Sequence, residues 1–363
     1  YIQDFFFFFQ VPRHILDSSG RKILTHWHSF VLAFNNKRES EDHYTTYRLN
    51  PNNSKFASTG GQMRQRPYYR PPRDGEKSFL VQDFETEINT FMDIGGDGFF
   101  LNMISKPFNE TGGGRWNHYY ACAEAASNVS DDFAIIPSPD CGATFKQQNV
   151  DDFVKIMNWI QEQPNRLEID GKTAFSAWHP GVHPLSFWNE VFDECKANNA
   201  EAAFIPCYHI NEEGGITDWK NLLPLCHAFM KSSFASAYEH ALKANSRNLA
   251  NEVHGAGMDK FVHTIRGNDA RAHSGVYFEP ANFRNLMETW DIAIDHLDNY
   301  PQDWVQLYTW NDIHENQGMH PFTGIQYALY DINAYYIQWY KTGEKPDIIK
   351  DALYYSHRRH HMN

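Results

Sequence analysis

The sequence predicts an α/β protein, a (β/α)8 barrel built as a single catalytic domain. Three observations carry that prediction. Short apolar runs recur along the chain. Each is followed by a polar loop and then by a stretch of helical period, and neither a linker nor an internal repeat divides the 363 residues. Strands that alternate with helices pair in parallel, and about eight such units close a barrel.

The strand-like runs fall at residues 23–34, 98–104, 133–138, 173–178, 202–208, 233–238, 260–265 and 304–310. The stretches between them read as amphipathic helices. "VDDFVKIMNWIQEQP" sets Phe153, Ile156, Met157 and Ile160 on one face, behind capping-type residues. "NFRNLMETWDIAIDHL" repeats the period with Phe283, Leu286, Met287, Trp290, Ile294 and Leu297. The last stretch stripes Leu329, Ile332, Tyr336 and Trp339, then stops at Gly343 with Pro346 beyond, the expected C-terminal punctuation.

Two segments do not fit the repeat. Residues 35–77, rich in Arg, Pro and Tyr ("QMRQRPYYRPPRDGEK"), are too long for an ordinary connection and follow the first strand on the face where barrels keep their sites. The barrel is therefore expected over 1–346, with 347–363 ("YYSHRRHH") a tail that packs on it or frays.

Composition narrows the function. A formal charge of −13 argues against nonspecific nucleic-acid binding and against an anionic membrane surface, both of which need a basic face. No run reaches 18 apolar residues, and "FFFFF" at 5–9 is too short to insert, so a soluble chain is expected. The start at Tyr1 suggests a processed or truncated N-terminus, and a secreted or cell-envelope location is a separate expectation. Five cysteines without a CxxC pair leave the disulfide state open and indicate no zinc knuckle. Aromatic residues make up 15 % of the chain, more than a core requires, and flat rings stack well on the apolar faces of sugars. "GGDGFF" and "TGGGRW" lack the nucleotide-loop pattern, and no cofactor or metal is expected.

The densest chemistry is "LYTWNDIHENQGMHP" at 307–321, where the last strand should end. Asp312 and Glu315 lie three residues apart, flanked by Trp310, Asn311, His314 and His320. One reading is a helix-capping Asp beside a solvated Glu. The other is a pair of carboxyls dividing acid and base roles at the barrel mouth, with a buried Trp raising one carboxyl's pKa. Further mouth candidates lie at or just past other predicted strand ends: Asn102, Asp140, Trp178, His179, Tyr208, His209, Tyr238 and Glu239. Glu279 is another acidic candidate, although a carboxylate before a helix is more often a dipole partner. His26 and His28 alternate on the first strand and so point the same way.

The stretch "YTWNDIHENQGMHP" resembles the "TWNDYGES" motif of glycoside hydrolase family 71, the α-1,3-glucanases or mutanases. Further segments are similar to that family in the same order: "THWHSF" at 25–30, "GGDGFFLNM" at 95–103, "FAIIPSPD" at 133–140, "DGKTAFSAWHP" at 170–180 and the closing "YYIQWYKTGEKPDIIKDALYYSHR". The resemblance implies a barrel that hydrolyses an α-linked polysaccharide with inversion, using Asp312 and Glu315 as the acid pair. Glu315 is the preferred acid, the assignment between the two remaining open. His26, Trp27, His28, Asn102, Asp140, Trp178, His179, Tyr208, His209, Tyr238, Glu239, Trp310 and Asn311 would then bind the sugar. An inverting pair must stand roughly 6.5–9.5 Å apart. On a regular helix, residues three apart would sit at about 5–6 Å. A loop is therefore expected between them.

Ile313-His314 replaces the family's Tyr-Gly, and Asn316 its Ser, which bears on linkage and sugar. The Arg-rich insertion suggests a longer, decorated or anionic glycan. More distantly, the chain resembles the endo-α-mannosidases of glycoside hydrolase family 99 in fold and in an acidic strand-eight ending. Two other classes stay open. A metal-dependent amidohydrolase-like barrel would recruit His26, His28, His179, His209 and Asp312, and a non-catalytic carbohydrate-binding barrel would keep the pocket without turnover.

Overall fold

The computed structural model describes residues 12–28, 34–35, 42, 44–52, 56–74, 76–106, 115–209, 215–232, 239–267, 269–271, 276–278 and 283–348. Eight parallel strands form the centre: β1 (Ile23–His28), β2 (Gly98–Met103), β3 (Ala134–Pro139), β4 (Lys172–Trp178), β5 (Ala202–His209), β6 (Met230–Ser232), β7 (Val262–Arg266) and β8 (Trp304–Tyr308). One sheet runs β7-β8-β1-β2-β3, and a second holds β4-β5-β6. Two seams join them into a ring. At β3–β4, Asp140 bridges Trp178, and the Cys141 N–H donates to the Trp178 carbonyl at 2.9 Å. At β6–β7, Phe229 bridges Phe261, and the Val262 N–H donates to the Phe229 carbonyl at 3.0 Å. The chain is a closed (β/α)8 barrel, as the alternation of runs predicts.

The helices lie outside this ring: α1 (Glu76–Asp93), α2 (Arg115–Val129), α3 (Val150–Gln161), α4 (Leu185–Ala197), α5 (Glu239–Gly255), α6 (Arg284–Asp295) and α7 (Ala328–Thr342). Between β5 and β6 a 3-10 helix, Trp219–Leu225, stands in place of a full α-helix. In α3 the predicted stripe of Phe153, Ile156, Met157 and Ile160 is buried, and Asp151 and Asp152 occupy the first turn, where carboxylates favour the helix dipole. In α7 the buried face is Leu329, Tyr330, Asn333, Tyr336, Ile337 and Tyr340, so the stripe is rotated from the predicted one and leaves Ile332 and Trp339 at its edge. Gly343 ends that helix at φ 77, its N–H reaching the Trp339 carbonyl at 2.8 Å.

Strand alternation creates two cores. Residues facing the helices, among them Trp27, Phe99, Phe133, Phe175, Phe204 and Leu307, join the larger one. Residues facing the axis, including Leu24, Phe100, Ile136, Ile205, Val262 and Trp304, fill the barrel. Strand limits differ in places. β1 ends at His28, and Phe34–Asn35 pairs instead with Tyr68–Tyr69. β6 is Met230–Ser232, while the expected 233–238 lies outside the described residues.

The insertion after β1 packs on the loop after β8. Met63, Ile313 and Phe322 form a small apolar cluster with Tyr44 and Leu49. The Arg64 N–H donates to Asn316 Oδ1 at 3.2 Å, and the Thr323 N–H donates to the Arg66 carbonyl at 3.1 Å. Among the described residues, Arg66, Arg70 and Arg73 of this insertion pair with carboxylates. Arg66 meets buried Asp42 at 2.6 Å, and Arg70 holds Asp83 through two bonds of 2.7 and 2.5 Å. The guanidinium groups of Arg66 and Arg70 thus face carboxylates within the protein. All five cysteines are free thiols.

Candidate active site

The C-terminal ends of the strands bring together His26 and His28 (β1), Asn102 (β2), Asp140 (just past β3), Trp178 and His179 (β4), His209 (β5), Arg266 (β7), Tyr308 (β8) and Asp312. Trp178 stacks on Tyr308 with centroids 5.3 Å apart and planes at 19°. The Arg266 guanidinium lies 4.7 Å from the Tyr308 ring centre. His26 and His209 pack against Trp178 at 4.6 and 4.3 Å, and His179 stacks on His209 at 4.1 Å. The result is a continuous aromatic wall at the mouth, of the kind that stacks on pyranose faces.

Burial disfavours the charged form of His26, His28 and His179. It pushes His26 well below its ordinary value, helped by neighbouring His28, and lowers His179 to about 4. His28 is also lowered by burial, against the opposing pull of Asp312 and a hydrogen bond with Asn102.

Asp312 caps a turn and also faces the barrel mouth. Its Oδ1 accepts the Glu315 N–H at 3.3 Å, and its own N–H donates to Thr309 Oγ1 at 3.0 Å, so it caps a turn over residues 313–316. Its Oδ2 stands 3.5 Å from His28 Nε2, on the axis-facing side of β1. The segment between the two acids is a turn, with Asn316 at φ 54, and not a regular helix. Glu315 is half-buried, and its Oε2 accepts from Gln317 Nε2 at 3.0 Å. Asn311 grips β1: the His28 N–H donates to its Oδ1 at 2.8 Å, and its Nδ2 donates to the His28 carbonyl at 2.9 Å. Asn311 therefore positions the loop, with both side-chain groups engaged by backbone.

At the mouth, burial pushes the Asp140 carboxyl up to about 6 while the N–H groups of Gly142 and Ala143 pull it back. The Ala143 bond to Oδ1 measures 3.1 Å.

Three expected sugar contacts are corrected. Trp27 faces the helices, where its Nε1–H donates to Glu87 of α1 at 2.5 Å and its ring stacks on Phe99 at 5.3 Å. Trp310 is wholly buried, 4.8 Å from Phe91 of α1 and 5.2 Å from His320. Tyr208 also points outward, its hydroxyl donating to the Ile216 carbonyl at 3.1 Å. Trp27 and Tyr208 each lie between two axis-facing residues, so the pleat turns them away, while Trp310 lies past the end of β8 and is buried by the turn that follows. Tyr238, Glu279 and the Glu239 side chain lie outside the described residues. Sequence reasoning missed Arg266 and Tyr308. The available signal was spacing, since each lies two residues beyond another axis-facing position, Thr264 and Gln306.

The fold is that of known glycoside hydrolase barrels. The family 99 endo-alpha-mannosidase of Bacteroides thetaiotaomicron superposes with a TM-score of 0.62 at 11 % identity, covering 93 % of this chain and 100 % of that one. A glycoside hydrolase-like protein gives a TM-score of 0.56 at 10 % identity, covering 88 % and 93 %. In sequence, the chain is 23 % identical over 313 residues to glucan endo-1,3-alpha-glucosidase agn1 of Schizosaccharomyces pombe, spanning 77 % of this chain and 67 % of that protein. No family model matches. The chain thus resembles the α-1,3-glucanases in sequence and the endo-α-mannosidases in fold.

Proposed function

We propose that this chain is a glycoside hydrolase acting within an α-linked polysaccharide, as an endo-α-1,3-glucanase with an inverting mechanism. The observation that carries the reading is the Asp312 carboxylate, turned into the barrel mouth 3.5 Å from His28 and opposite an aromatic wall. It falls in the segment of strongest resemblance to the α-1,3-glucanases, and the sequence similarity to such an enzyme supports the choice of sugar and linkage.

In this mechanism one carboxyl protonates the departing glycosidic oxygen as its bond to C1 breaks. The other takes a proton from the water that attacks C1 from the opposite face. Asp312, held as an acceptor by backbone and facing a neutral imidazole, suits the base. Glu315, half-buried at the edge, suits the acid. The turn between them leaves the two side chains free to splay to inverting separation. Trp178, Tyr308 and His209 form the stacking platform, with Asn102, Asp140 and Arg266 placed for hydroxyl groups.

A second assignment has its own support. Asp140 is the mouth carboxyl with a pKa held near 6, which suits a general acid at mildly acidic pH. The barrel is taken as residues 1–346, with 347–363 a tail. Among the described residues no helix is long and apolar enough to cross a membrane, and a polysaccharide substrate supports a site of action outside the cell or in its envelope.

The test is release of reducing ends from insoluble α-1,3-glucan, run beside α-mannan, for the parent and for Asp312→Asn, Glu315→Gln and Asp140→Asn. Glucan release falling by at least a thousandfold in Asp312→Asn, with oligosaccharide binding retained, is the expected result. Near-parent turnover in both Asp312→Asn and Glu315→Gln removes this pair from the mechanism. Release from mannan alone moves the substrate to the endo-α-mannosidase class.

A further inference from the structure

A second cluster of ionisable side chains lies at the opposite end of the barrel, where helices feed into β7 and β8. It comprises His254 at the end of α5, His263 on the outer face of β7, His296 just after α6, and Asp303 just before β8. Ligand atoms of His254, His296 and Asp303 lie within 4.8 Å of one another. His263 Nε2 stands 3.1 Å from the same Asp303 Oδ2 that His254 Nε2 approaches at 2.9 Å. All four side chains are buried.

Hydrogen bonding alone does not satisfy this group. His254 Nδ1 is 2.9 Å from the Met258 carbonyl, which can only accept, so that nitrogen carries a proton. Its Nε2 then meets a carboxylate oxygen and needs a second proton or a cation between them. Asp303 Oδ1 is already engaged by the Phe261 N–H at 2.9 Å. His296 is 6 % exposed, and its Nδ1 has no hydrogen-bond partner. Two imidazoles therefore converge on one carboxylate oxygen, and a third, His296, lies within 4.8 Å of the carboxylate with a buried polar atom left over.

The geometry points to a structural site for a divalent transition metal of the zinc type, held by His254, His263, His296 and Asp303. Three imidazole nitrogens and one carboxylate oxygen make a closed tetrahedral set. With metal–nitrogen distances of about 2.0–2.1 Å, tetrahedral ligands stand roughly 3.3 Å apart. Ligand atoms of His254, His296 and Asp303 stand within 4.8 Å of one another and His263 Nε2 lies 3.1 Å from Asp303 Oδ2, so side-chain shifts toward that value would close the set. The Met258 carbonyl on the far nitrogen of His254 fixes the tautomer that presents Nε2, as partners of metal-bound imidazoles commonly do. Such an ion would pin α5, β7, the end of α6 and the start of β8 together, remote from the mouth. The proposal is independent of the glycosidase reading.

The experiment uses the whole chain, stripped with chelator and dialysed, then titrated with Zn2+ or Co2+. One equivalent should bind, Co2+ should show the visible bands of a tetrahedral site, and X-ray absorption on the zinc form should count three imidazoles. With metal a hundredfold above Kd, Tm should rise by about 3–4 °C for a chain of this length. All of these should vanish in His296→Ala, whose apo form should have a lower Tm than the apo parent because the buried ring leaves a cavity, so the diagnostic is the loss of the metal-dependent rise. His254→Gln is the second variant. A parent that binds no metal overturns the proposal and leaves a His–Asp–His network. So does binding that persists in both variants, which would place the ion elsewhere, for example on the tail histidines. If neither variant folds, the imidazole count on the parent decides: three supports the site, any other number sinks it.

Discussion

Asp140→Asn tests the electrostatics of the mouth most directly. The carboxyl has an ordinary value of 3.8 and is pushed up to about 6 in the folded protein, chiefly by burial. The shift of 2.2, from 6 minus 3.8, corresponds to roughly 3 kcal/mol at 1.36 kcal/mol per unit. Because the folded value is raised, the protonated carboxyl favours the fold, and this contribution is complete below pH 3.8. It is lost as the pH rises through about 6, so above that pH the folded state bears the full cost of an ionised group. Water reaches one side of Asp140 and screens part of that cost, which brings the measurable gain to between about 1 and 3 kcal/mol. Asn keeps the acceptor for the Ala143 N–H and removes the charge. Asp140→Asn should therefore be more stable than the parent by that amount at pH 8, in urea unfolding, and by less than about 1 kcal/mol at pH 4. If Asp140 also donates the catalytic proton, the variant loses the limb near pH 6 from the parent's pH–rate profile. A gain of equal size at both pH values would refute the reasoning, because the effect would then be packing and not charge.

Three other outcomes are expected. Trp27→Phe removes the indole donor from buried Glu87 and should cost about 2–4 kcal/mol in urea unfolding. KM for oligosaccharide should stay unchanged, and a several-fold rise in KM at parent stability would return Trp27 to the sugar site. Asn311→Ala strips both partners from the His28 backbone and should cost about 2–3 kcal/mol by the same assay; a cost under 0.5 kcal/mol contradicts the assigned clamp. Trp178→Ala opens the aromatic wall and should raise KM roughly tenfold or more. An unchanged KM would move substrate stacking elsewhere.

Much of the architecture is legible in the sequence because both faces of a parallel barrel strand are dry. Such strands read as short continuous apolar runs, and the helices between them declare themselves by period. The acid-rich loop after β8 is legible for a related reason. Asp312, Asn311 and Glu315 follow directly on a buried strand, where a chain carries charge only at an end. Dryness on both faces is also what hides the direction of each residue. Trp27 and Tyr208 sit beside axis-facing groups and look like sugar platforms in one dimension, yet the pleat sends them into the helix layer. The alternation of His26 and His28 already contained that answer for Trp27, since the residue between two axis-facing neighbours must face outward. Period alone could not reveal that the insertion after β1 would lie on the β8 loop through Met63, Ile313 and Asn316. Nor could it reveal that burial would raise the mouth carboxyl Asp140, or that His254, His263, His296 and Asp303 would converge at the closed end. Local pattern reports what each segment must bury. Contacts between residues far apart in the chain exist only once the ring has closed, and those contacts decide which charges lose their water.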